Sequence, residues 1–164
     1  KINHPLEISG KKFNEYLYGS HVEDNVMLMP SMIGFHSLET ELPLLNNWID
    51  VANIFKRKFQ NYKVQLKLHP GTNNNPDLND IQDYIINKCN NVTIINPSVN
   101  AQKLICNSKV IVSDVSTVLW WANFLKNKIL VSIDFRDFIG SDQMKYYKNI
   151  NYFEKIEKLK NYNF

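Results

Sequence analysis

The chain lacks the glycine fingerprints on which most nucleotide-binding enzymes rely. Neither Gly-x-Gly-x-x-Gly nor Gly-x-x-x-x-Gly-Lys-Ser/Thr occurs, which disfavours NAD-type dinucleotide turns and Walker-type phosphate loops. Asp-x-Asp is also missing: Asp77 and Asp80, like Asp134 and Asp137, are spaced three apart and read as cap, turn or surface residues, so a metal held by this chain is not expected. Cysteine is scarce. Cys89 and Cys106 stand in no Cys-x-x-Cys or Cys/His cluster, so neither a disulfide framework nor a zinc site is indicated, and both read as buried packing residues. No apolar run approaches the roughly 18 residues of a membrane-spanning helix, and Lys1 to Gly10 lacks the apolar core of a secretion signal. The reading is a cytoplasmic protein. A net charge of +3, spread along the chain, is too weak to argue for nucleic acid and suits an anionic small ligand.

What is present fits one globular domain: 164 residues, 44% hydrophobic and 21% charged. The chain opens on Lys1 rather than Met and reads as a segment of something longer, with an N-terminal partner domain expected before it. Residues 1–24 are polar and aperiodic and read as a lead-in or linker, with His4 and His21 solvated; residues 25–164 form the domain.

Asn25 to Met29 predicts a first strand, ended by Pro30-Ser31 and a loop in which Gly34 permits a tight turn. Leu45, Trp48, Ala52, Phe55 and Phe59 recur at three and four, the stripe of an amphipathic helix between Leu44 and Phe59. Lys56, Arg57 and Lys58 complement the negative end of its dipole, which explains them better than a binding patch does. Strands are predicted at Val64 to Leu68, Val92 to Ile95, Lys109 to Val112 and Ile129 to Ile133. After a loop at Gly71 to Asn75, a helix is expected with Asn75 as cap, Pro76 first and Asp77 in the first turn, followed by helices over Asn100 to Cys106 and Ser116 to Leu125. The tail from Ser141 to Phe164 predicts one or two helices. Strands alternating with helices imply an α/β, Rossmann-like, mostly parallel sheet with helices on both faces.

In such a sheet the carboxyl ends of the strands, and the helix N-termini after them, share one edge, where ligands bind. Two strands end abruptly in polar residues: Leu66-Lys67-Leu68-His69-Pro70-Gly71 and Val110-Ile111-Val112-Ser113-Asp114-Val115-Ser116-Thr117. Pro70 biases His69 towards extended geometry, so its imidazole either donates to a phosphate oxygen or closes the strand with a local hydrogen bond. Ser116 and Thr117 open a helix whose free amides suit an anion; ordinary capping by Asp114 or Ser116 is the alternative, and the two are compatible. Pro30, Ser31 and His36 belong to a loop opening on the same edge, although His36 also reads as a turn residue. Trp120 and Trp121 are expected to pack against the sheet.

These two strand ends, followed by Lys126-Asn127-Lys128-Ile129-Leu130-Val131, resemble in order and spacing the C-terminal domain of GT-B-fold transferases that make bacterial surface polysaccharides. The similarity points to surface-carbohydrate biosynthesis proteins and, more distantly, to CDP-glycerol glycerophosphotransferases and bacterial sialyl- and polysialyltransferases. It spans roughly residues 25–135. The resemblance implies that His69, as the catalytic residue, contacts the donor phosphate. Lys67, Pro70, Gly71, Asp114, Ser116, Thr117, Pro30, Ser31 and His36 would line the donor site. Trp120-Trp121 stand where relatives carry an acidic residue, Asn127 where they often have Gly, and Lys128-Ile129 where they have Lys-Pro.

The implied function is the donor-binding half of a metal-independent glycosyltransferase of capsule or lipopolysaccharide synthesis. It would take a CMP-, CDP- or UDP-linked sugar as substrate and need no other cofactor. Its partners would be a carbohydrate acceptor and an N-terminal GT-B domain supplying the base, with no nucleic acid and with association at the inner membrane face. A CDP-polyol phosphotransferase of the teichoic-acid type and a non-catalytic nucleotide-binding or assembly module are the competing readings.

Overall fold

A computed structural model describes residues 22–114, 116–135 and 147–164. Most of the expected lead-in, with His4 and His21, lies outside the described residues. Among the described residues six strands form one sheet in which every neighbouring pair is parallel: β1 (Glu23–Met29), β2 (Lys63–Lys67), β3 (Val92–Ile95), β4 (Ser108–Ser113), β5 (Ile129–Ile133) and β6 (Ile150–Phe153). Their order is β3-β2-β1-β4-β5-β6. The chain thus builds outward from β1 in one direction, then crosses over and builds outward in the other.

Side chains on the central strands alternate between two apolar layers, as the two-residue period of a strand requires. Val26 and Leu28 of β1, with Val110 and Val112 of β4, face α1 (Leu38–Lys58), α2 (Leu78–Lys88) and α5 (Ile156–Asn161). Met27, Met29 and Ile111 face α3 (Ala101–Asn107) and α4 (Thr117–Ala122). The domain is therefore an α/β, Rossmann-like three-layer fold. Cys89 and Cys106 are free and buried, and Trp120 and Trp121 pack against the second layer.

Helix α1 begins at Leu38, a turn and a half before the apolar stripe alone places it, and carries Pro43 inside it. Its first free amide, that of Leu38, donates to the Asp77 carboxylate 3.1 Å away, an anion at the positive end of the helix. Lys58 at the other end donates to the carbonyls of Lys160 and Tyr162, fastening the tail after α5. Phe55, Phe59, Phe153, Tyr162 and Phe164 complete that junction with ring centroids 5.0–6.4 Å apart.

Three local expectations need correction. The segment after His69 is a 3-10 helix over Pro70–Asn74, and α2 starts only at Leu78 with Asp77 as its cap; Asn75 still accepts the Asp77 amide on Oδ1 at 3.0 Å, while its Nδ2 donates to the neighbouring loop. The described part of the tail contributes a strand, β6, as well as one helix. Ile150-Asn151-Tyr152-Phe153 is too short to show a period by itself, and its pairing with β5 makes it a strand. Asn127 takes the left-handed conformation, φ 60°, so it does locally what a glycine would.

Among the described residues no helix is long and apolar enough to cross a membrane.

Lys128, at the foot of β5, donates to the carbonyls of Cys106 and Ser108 and so closes the end of α3. Burial lowers its pKa from 10.5 to about 8, the nearby Lys109 adding to the shift. Between those values the unfolded chain holds the proton and the folded chain does not, so Lys128 makes stability rise with pH across that window. Tyr62 and the two thiols, shifted upward chiefly by burial, act in the opposite sense. Urea unfolding of the parent and Lys128→Met proteins from pH 7.5 to 10 should show the parent gaining stability relative to the variant as pH rises. A constant difference would exclude the titration.

Candidate functional site at the carboxyl edge of the sheet

The reversal of chain direction lies between β1 and β4, the place at whose carboxyl edge open sheets of this kind bind ligands. The strands end flush there: Leu28 pairs with Leu66, Met29 with Ser113, and Ser113 with Ser132. Ser113 donates its hydroxyl proton to the Met29 carbonyl, tying the two central ends together.

The loop after β1, residues 30–36, is held from three sides. Buried Glu41, only 4% exposed, accepts the backbone amide of Gly34 on one carboxylate oxygen and those of Phe35 and His36, each at 2.8 Å, on the other. Asn75 donates to the carbonyls of Gly34 and His36, both at 2.8 Å. The Asp114 carboxylate straddles the Ser31 amide at 3.1 and 3.2 Å. Gly34 adopts φ +92°, and a Cβ there would fall 2.7 Å from Thr72 Cγ2, so only glycine suits this position.

His69 leaves β2 exposed at this edge and caps the 3-10 helix. Its Nδ1 accepts the Gly71 amide at 3.0 Å, which assigns the proton of the neutral ring to Nε2. The two sequence readings of His69 are thus compatible, because the local hydrogen bond uses one nitrogen and leaves the other as donor. Its carbonyl accepts both the amide and the hydroxyl of Thr72, at 3.0 and 2.7 Å, which fixes the backbone beneath the ring. Gly71 sits close to both rings: a Cβ would lie 3.1 Å from His69 Nδ1 and from Phe35 Cε1.

Beyond β4, the Ser116 side chain caps α4 by accepting the Val118 amide at 3.3 Å, and Thr117 is exposed at the first position of the helix. His69 and this helix start follow β2 and β4, the two neighbours of β1. Two strand spacings, about 10 Å, separate their strands.

Two residues assigned to the donor site carry structural contacts. Lys67 is 3% exposed, and its ammonium donates to the carbonyls of Leu68 and Pro97 at 3.0 and 2.9 Å. It crosslinks the loops after β2 and β3, and burial lowers its pKa. Asp114, 6% exposed, turns its carboxylate to the Ser31 amide. Pro30 is buried, Ser31 half-buried, and His36 exposed at the end of the pinned loop.

Glu41, Asn75 and Phe35 had no place in the site as read from sequence. Glu41 did carry a signal: it precedes Leu45 by four residues and Trp48 by seven, an acid on the buried stripe of α1.

The sequence matches no protein-family model and no curated protein. Solved structures do resemble it. A UDP-GlcNAc 2-epimerase of Methanocaldococcus jannaschii, solved in complex with UDP-GlcNAc and UDP, aligns with a TM-score of 0.57 at 19% identity, over 94% of this chain and 41% of that one. The GT-B domain of a sialyltransferase from Photobacterium damselae aligns with a TM-score of 0.51 at 12% identity, over 90% of this chain and 43% of that one. The chain therefore spans about two-fifths of each, and at these identities the likeness is one of fold.

Glu41→Gln should lower stability by about 2 kcal/mol, because hydrogen bonds to a charged acceptor contribute roughly 1.5–3 kcal/mol and an amide offers only one oxygen. Gly34→Ala should cost about 1–3 kcal/mol through backbone strain and the Thr72 clash. Both would appear as lower urea midpoints; an unchanged midpoint would contradict the pinned loop.

Proposed function

We propose that the chain is the nucleotide-sugar-binding half of a metal-independent GT-B glycosyltransferase, working in the synthesis of a bacterial surface polysaccharide. The observation that carries this reading is the His69 ring, with Nδ1 occupied by the Gly71 amide and the Nε2 proton left to donate at the edge where such sheets bind ligands. Support comes from the fold shared with a sialyltransferase GT-B domain and with an epimerase solved with UDP-GlcNAc, together with the order of the two strand-end motifs.

The donor diphosphate or phosphate would sit across the end of β1, between His69 and the start of α4. In transfer, an acceptor hydroxyl oxygen bonds to the anomeric carbon while the bond from that carbon to the phosphate oxygen breaks. The departing nucleotide keeps the electron pair. The negative charge growing on that oxygen is met by the Nε2 proton of His69 and the Thr117 hydroxyl. The acceptor's proton would pass to a base on an N-terminal GT-B domain. The chain by itself should therefore bind donor nucleotide and transfer little, in a cytoplasmic setting or at the inner membrane face.

Titration calorimetry with CMP, CDP, UDP and GDP tests the reading. One base should bind well above the others, and His69→Ala should weaken that nucleotide about tenfold or more, the loss of a charge-assisted hydrogen bond. Binding unchanged by His69→Ala would overturn the assignment. Selective binding of CDP, with transfer of a polyol phosphate by the longer protein, would instead favour the phosphotransferase reading.

A further inference from the structure

Phe35 is 42% exposed and Met32, in the same loop, 46% exposed, so an aromatic ring and a thioether face solvent beside the polar groups of the carboxyl edge. Single exposed apolar side chains are ordinary on a protein surface, and what sets Phe35 apart is the way its loop is held. This loop is firmly held. The amides of Gly34, Phe35 and His36 end on Glu41, and the carbonyls of Gly34 and His36 accept from Asn75, so the backbone on both sides of the Phe35 ring is fixed. The ring itself lies against His69, with centroids 5.5 Å apart and planes inclined at 42°. Gly71 gives the two rings room, since a Cβ there would press on both.

Chain segments that order an exposed ring lose conformational entropy, and a buried carboxylate committed to three amides of the same loop offsets that loss before any ligand arrives. We propose that Phe35 is a preorganised stacking platform for the flat face of a ring joined to the phosphate that His69 holds. The inference rests on the donor-site reading above and extends it to a residue that no strand-end motif contains. Nucleobase and pyranose both present such a face, and both follow the phosphate by a short linkage. Met32 widens the apolar margin of the same loop. His69 then serves two purposes, with Nε2 directed to phosphate and the ring as the wall against which Phe35 is set.

The test compares three probes on the purified chain: the nucleotide preferred in the panel, glucose 1-phosphate, and inorganic pyrophosphate, each titrated by NMR or calorimetry. Phe35→Ala should weaken a ring-bearing probe by about fivefold or more, the range of aromatic stacking on a base, and leave pyrophosphate unchanged. Phe35→Tyr should restore binding; Phe35→Leu should not. Loss confined to the nucleotide assigns the platform to the base, and loss confined to glucose 1-phosphate assigns it to the sugar. The urea midpoint of Phe35→Ala should fall only slightly, since the ring is 42% exposed and the contact it loses is with the His69 ring. Unchanged binding of both ring-bearing probes, or an equal loss for pyrophosphate, would overturn the platform while leaving the donor site standing. Failure of the parent chain to bind any of the three would instead remove the donor site, and the platform with it.

Discussion

A single buried carboxylate, that of Glu41, carries three successive backbone amides of the loop that leaves the central strand. Buried amides need acceptors, and a loop turning back over the end of a parallel sheet has no strand partner to supply them. Glu41 supplies them from the first turn of α1, so the loop and the helix are fixed relative to each other. Gly34 can then pass close to Thr72, and Thr72 in turn holds the His69 carbonyl. The orientation of the exposed imidazole thus traces back, through two contacts, to an acid on the buried face of a helix.

The two ends of the sheet have separate tasks. At the amino edge, Lys128 closes α3, while Lys58 and a group of aromatic rings tie the C-terminal tail to α1. At the carboxyl edge the polar groups are pinned one to another: Ser113 to Met29, Asp114 to Ser31, Lys67 to Pro97, Asn73 to Ser98. Among the exposed groups that emerge from that scaffold are His69, Thr117 and Phe35. Rigid support beneath a few exposed groups is what precise ligand contact requires, because any freedom left in the groups that touch a ligand is lost on binding.

Much of this was legible in the residue order. β5 was bounded correctly from Ile129-Leu130-Val131-Ser132-Ile133, β3 from Val92 to Ile95, and the other core strands to within a residue or two, because their apolar runs end at turn residues. β6 was not legible, since Ile150-Asn151-Tyr152-Phe153 has neither length nor alternation and becomes a strand only by pairing with β5. At the site, His69 and Ser116-Thr117 were legible as types of residue at strand ends. The duties of Lys67 and Asp114 were not: a charged residue before a polar turn looks the same whether it faces a ligand or a carbonyl of the next loop.

The sequence by itself determined the class of fold and the polar residues that end its strands at one edge, because strand and helix periods and the residues that break them act over a few positions. It determined also that glycine-rich phosphate loops are absent. Only the tertiary structure decided which polar groups remain available to a ligand. Glu41 lies within seven residues of Gly34 but needs α1 packed on the sheet to reach it, Asn75 reaches across 41 residues to the same glycine, and Asp114 reaches across 83 to Ser31. Hydrogen-bond partners at such separations are chosen by strand order and layer packing, and no local pattern encodes them.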